Sequence, residues 1–82
     1  MQFMVEFRLK PGTKQKAIEA FELRGPSRNP GVTFQSAWIG KHSDMVYVLA
    51  ESADESQVAK VAEGWSVFGT YRIEPVIDVE QF

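Results

Sequence analysis

The chain has 82 residues, 44% of them hydrophobic and 24% charged, with a formal net charge of −2 and no cysteine. Such a length predicts one domain around a single core, in which roughly 60–65% of the unfolded surface is buried. The charge offers no positive field to nucleic acid or an anionic bilayer, and the lack of cysteine excludes disulfides, thiolate metal sites and a cysteine nucleophile.

Gln2–Leu9 alternates, with Phe3, Val5, Phe7 and Leu9 on one side and Met4, Glu6 and Arg8 on the other, as a half-buried strand does. This is not a signal-peptide core, and no run approaches the ~20 apolar residues of a membrane helix. A cytoplasmic protein is therefore expected, with neither nucleic acid nor membrane as a partner. Pro11 and Gly12 break the strand, and Thr13 is placed to cap a first helix from Lys14 to about Leu23 with Ala17, Ile18 and Phe21 on one stripe. Gly25 and Pro26 stop that helix and open a connector over residues 24–31.

Residues 32–40 and 43–51 read as a hairpin turning at Lys41 and His42. A loop of two or four residues pairs odd positions with even ones, so Ala37, Ile39, Val46, Val48 and Ala50 share one face. Phe34, Ser36, Trp38, Met45, Tyr47 and Leu49 then share the other. A second helix follows overlapping caps, Ser52 with Glu55 or Asp54 with Gln57, and carries Val58, Val61, Ala62, Trp65 and Phe68 at helical spacing. Gly64 falls inside this helix and Gly69 ends it. Residues 70–77 form the last strand, an edge strand because Pro75 lacks a ladder donor.

The order βαββαβ predicts an α+β ferredoxin-like fold: a four-stranded antiparallel sheet of order 4-1-3-2 with both helices on one face. The other face would hold Met4, Glu6, Arg8, Arg72 and Glu74 beside the large side chains of the hairpin. Glu6 with Arg72 and Arg8 with Glu74 are expected opposite or diagonal to one another, a cross-strand ladder. Bare, this face would be an apolar patch of the kind that marks an interface. Met4, Trp38, Met45, Tyr47 and Leu49 are therefore expected to meet a second copy of the chain. Glu6, Arg8, Trp38, Tyr47 and Arg72 are the candidates for holding a small, partly apolar molecule between the sheets. With Glu6 or Tyr47 as an acid–base group the same face would suit a cofactor-free enzyme, and with the face filled by side chains it would be a purely structural interface.

A resemblance adds to this reading. The opening strand followed by Lys10, Pro11, Gly12 and Thr13, the hairpin with Trp38 and Gly40, the run from Leu49 to Asp54, the Trp65 helix and the ending Glu74-Pro75-Val76-Ile77-Asp78 resemble an uncharacterised family of short bacterial proteins, itself similar to the dimeric α/β barrel superfamily. The resemblance implies a homodimer whose sheets pack face to face, with any pocket between each sheet and its covering elements. The superfamily includes cofactor-free monooxygenases, isomerases and heme-handling proteins, so the fold alone assigns no reaction.

No phosphate loop, zinc-protease helix, calcium loop or nucleophile elbow occurs. His42, the one histidine, belongs to a turn, which argues against a histidine base or heme ligand. Asp54 and Glu55 are explained by the positive end of a helix dipole, so neither metal nor cofactor is expected. Arg24, Ser27 and Arg28 of the connector could hold an anion, but a turn-rich loop with solvated arginines explains them better. The third strand lacks the basic-glycine-aromatic opening of RNA-binding βαββαβ domains.

Overall fold

The alternation of Gln2–Leu9 becomes the first strand, β1, and the burial follows the pattern: Phe3, Val5 and Leu9 are buried, Met4 and Glu6 half-buried and Arg8 exposed. A computed structural model describes residues 1–24 and 31–82, and the connector with Ser27 and Arg28 lies outside the described residues. The further elements are α1 (Lys14–Arg24), β2 (Val32–Ile39), β3 (Met45–Ser52), α2 (Glu55–Glu63) and β4 (Gly69–Val76). Every strand pairing is antiparallel, and the sheet order β2-β3-β1-β4 is the expected 4-1-3-2. The architecture is thus α+β, consistent with the ferredoxin-like pattern. Among the described residues no helix is long and apolar enough to cross a membrane.

The core is the odd face of β1 closed by α2. Phe3, Val5, Val48 and Ala50 of the sheet lie against Val58 and Ala62, with Val32 at the edge. α2 lies across all four strands. Of the overlapping caps the chain uses Asp54, whose Oδ1 accepts from the Ser56 amide at 2.9 Å. That backbone hydrogen bond, with the Ser56 hydroxyl second, holds the Asp54 carboxyl below its ordinary value. Ser52 serves the turn before it, donating its hydroxyl to the Asp54 carbonyl at 3.1 Å.

Four local expectations are corrected. First, α2 ends at Glu63 and does not continue to Phe68: the Gly64 amide is shared between the carbonyls of Lys60 and Val61, and a 3₁₀ turn, Ser66–Phe68, carries the chain onward. This tightening swings Trp65 and Phe68 off the α2 stripe. Second, the Thr13 hydroxyl donates to the Lys10 carbonyl at 2.8 Å instead of accepting from the helix. Third, the hairpin loop has four residues, closed by the Gly40 amide on the Met45 carbonyl at 2.8 Å, and the expected parity holds only from Ile39 back to Ser36. There a β-bulge inserts Gln35, so that Phe34 pairs with Ala50 and joins the helix-facing side. Fourth, β1 and β4 align Glu6 with Arg72 but Arg8 with Thr70 and Met4 with Glu74, which leaves Arg8 and Glu74 two rungs apart.

Two contacts fix the ends of the layers. Lys14 Nζ donates to the carbonyls of Gly40 at 2.8 Å and Ser43 at 2.9 Å, tying the start of α1 to the hairpin turn. Gly69 opens β4 against the end of β1, where a Cβ would strike the Arg8 carbonyl oxygen and lie 2.9 Å from the Leu9 Cα.

Candidate functional site

The open sheet face is organised in rungs. Trp38 pairs with Tyr47, Tyr47 with Glu6, and Glu6 with Arg72, so four of the five ligand candidates form one row across all four strands. At strand spacings of about 4.8 Å the row spans roughly 14 Å. Arg8 stands in the adjacent rung between Met45 and Thr70, and the rung on the other side runs Ser36, Leu49, Met4, Glu74. All five interface candidates, Met4, Trp38, Met45, Tyr47 and Leu49, therefore lie on this face. Trp38 is 53% exposed at the β2 edge, while Met4, Met45, Tyr47 and Leu49 shelter one another half-buried.

The charges of this face do not form the expected ladder. Arg72 turns along its own strand to Glu74, 2.6 Å away, in the one ion pair among the described residues. Both side chains are more than half exposed, so the pair contributes little. Glu6 keeps a carboxylate with no hydrogen-bond or ion-pair partner among the described residues, and the same holds for the Tyr47 hydroxyl. Gln35, pushed out by the bulge, accepts from Gln2 at 2.8 Å and donates to Glu51 at 3.1 Å, closing the far end of the face with polar groups.

A cavity of about 210 Å³ lies on the opposite face, between α1 and the sheet. Ala17, Ile18 and Phe21 roof it, Phe7, Val46 and Val48 floor it, and every lining residue is hydrophobic. An aromatic cluster closes one side. Phe21 stacks parallel on Phe34 with centroids 6.0 Å apart and meets Trp65 at 5.9 Å, and Trp65 meets Phe68 at 5.9 Å. Ala37, Trp38 and Ile39 line it as well and are exposed, which puts its mouth at the β2 edge. α2 covers the sheet closely, whereas α1 is tied down by buried Ala17, by the Phe21 ring on Phe34 and Trp65, and by the Lys14 clasp at its start.

Of the residues singled out in the sequence only Trp38 borders this cavity; Glu6, Arg8, Tyr47 and Arg72 belong to the other side of the sheet. Apart from Phe34 and Trp38, which the sequence puts on the open face, the lining residues read as ordinary core. No local signal marks the cavity, since Phe7, Phe21, Phe34, Trp65 and Phe68 meet only through the tertiary fold. His42 is exposed in the hairpin turn. Among the described residues no three metal-ligating side chains converge. Near the β1–β4 edge the Tyr71 hydroxyl donates to Glu63 at 2.9 Å, and that hydrogen bond raises the Tyr71 pKa above its ordinary value.

The chain belongs to the family described as Domain of unknown function (DUF3303), whose model matches residues 1–82. No curated protein matches the sequence.

Proposed function

We propose that this protein is a homodimeric binder of a small, predominantly apolar molecule, the ligand entering the cavity beneath α1 and the second copy covering the open sheet face. The observation that carries the proposal is a cavity of about 210 Å³ with an entirely hydrophobic lining. Apolar cavities of about 150 Å³ already take up benzene, whereas drug-sized ligands need about 300 Å³ or more. The size thus favours compounds of one or two rings. Burial of about 150–200 Å² of ligand surface gives about 4–5 kcal/mol. That corresponds to a Kd of about 0.1–1 mM for a bare ring, and polar groups reaching the mouth would tighten it.

Titration with indole tests the reading. The expected result is a saturable heat of binding in isothermal titration calorimetry together with a rise in Tm that grows with indole concentration, both lost in Ala37→Ile, which fills the mouth of the cavity. No saturable change in either signal up to 5 mM indole would refute it. A dimer that forms without any such binding would make the protein a structural interaction module.

A second reading is favoured by one observation, the Glu6 carboxylate left without a partner beside Tyr47. Enclosed between two sheets, it would serve as the base of a cofactor-free monooxygenase or isomerase acting on an enolisable substrate. Such a substrate would lie across the sheet from the cavity, with Arg8, Arg72, Trp38 and Tyr47 around it. This reading requires Glu6→Gln to abolish turnover while indole binding persists.

A further inference from the structure

Building on the dimer of the proposed function, we infer that the second copy is related by a two-fold axis running along the strands between β1 and β3, so that Tyr47 of each copy faces the partner's Glu6. The same operation lays Arg72 over the partner's Trp38.

An isologous pair of face-to-face sheets has its axis in the plane between them, and aligned packing leaves it running along or across the strands. β3 and β1 are the central strands, with β2 and β4 at the edges. An axis along the strands keeps each rung at its own height and reverses it. The rung Trp38, Tyr47, Glu6, Arg72 then meets its own reverse: hydroxyl against carboxylate, indole against guanidinium. The rung Ser36, Leu49, Met4, Glu74 likewise sets Leu49 on the partner's Met4, apolar on apolar. Groups without a partner inside one chain, Glu6 and the Tyr47 hydroxyl, are thus matched to each other.

An axis across the strands gives poorer matches. Through the Glu6 rung it sets Glu6 on the partner's Glu6, and one half-rung towards Met4 it sets the carboxylate on a thioether. One half-rung the other way pairs Glu6 with the partner's Arg8 but carries Met4 and Leu49 past the end of the opposite strands. Each sets the central Glu6 on a like or apolar group or leaves apolar side chains wet, whereas the axis along the strands puts only Arg8, exposed near the end of the face, over an apolar group, the partner's Met45. The area suffices: four strands at about 4.8 Å and eight residues at about 3.3 Å give a face of roughly 500 Å² per copy, about 1,000 Å² for the pair.

The absence of cysteine makes the test clean. Facing sheets lie about 10 Å apart, too far for a disulfide, so a short bismaleimide is the probe. Differently tagged Ser36→Cys and Glu74→Cys chains, both substituted at exposed positions on the edge strands, are co-expressed and treated with it, beside each chain alone; the axis sets Ser36 over the partner's Glu74 but leaves two copies of either residue about 14 Å apart across the strands. The expected result is cross-linked heterodimer several-fold above the dimer band of either single chain. Equal linking within a single chain type, or none in a preparation that light scattering shows to be dimeric, overturns the axis and leaves the dimer standing. A wild-type chain monomeric in light scattering at 100 µM overturns the dimer itself, and this inference with it.

Discussion

Filling the mouth of the cavity separates a binding site from a packing defect. Ala37 sits on β2 opposite Val48, lines the cavity and is exposed. Ala37→Ile adds three carbons towards Ile39 and Val46 and replaces a poor strand former with a β-branched one. Full burial of three carbons gives ~2.4 kcal/mol at ~0.8 kcal/mol each; at a half-open mouth about half of that is realised, ~1 kcal/mol. For a chain of this size the gain raises Tm by roughly 4–8 °C. Differential scanning calorimetry, with and without indole, reads both consequences: the variant melts higher than wild type, and indole no longer shifts it. A lower Tm would mean that the space beneath α1 is already packed. A higher Tm with an undiminished indole shift would mean that the ligand sits elsewhere.

Gly69→Ala forces a methyl into the Arg8 carbonyl and the Leu9 Cα, backbone on both counts, so urea unfolding should register a loss of about 1–3 kcal/mol; an unchanged midpoint would contradict that close approach. Lys14→Met keeps the aliphatic stem but removes both hydrogen bonds to the hairpin turn. A loss of about 1 kcal/mol and faster amide exchange in α1 than in α2 are expected, and uniform exchange would show that the clasp does not hold α1. Asp54 has a folded pKa below its ordinary 3.8, so its contribution is complete above about pH 5 and is lost as the pH falls through the folded value. Asp54→Asn should reduce the drop in Tm between pH 6 and pH 3, and an identical drop in both chains would count against the assignment.

The cross-strand neighbours of the open face were partly legible in the sequence, because strict alternation in β1 and β3 fixes which side each residue takes. That Glu6, Tyr47 and Arg72 share one face needed only that alternation and the sheet order. The partnership of Arg8 with Glu74 failed because alternation gives the side but not the height: the alignment of β1 with β4 is set by how far the turns at their ends let the strands slide. Phe34 failed for a different reason, since one inserted residue inverts every side chain beyond it and nothing in the run from Val32 to Ile39 signals the insertion.

By itself the sequence determined the order of elements, the antiparallel sheet and the core face of β1, because each follows from periodicities of two or 3.6 residues carried by neighbouring side chains. Only the tertiary structure decided where empty space would lie. Phe21, Phe34, Trp65 and Phe68 come from three separate segments, and whether their rings close up or leave a cavity depends on how far α1 stands from the sheet. That distance is set by contacts between parts of the chain remote in sequence, such as Lys14 with Gly40 and Ser43, which no local pattern encodes.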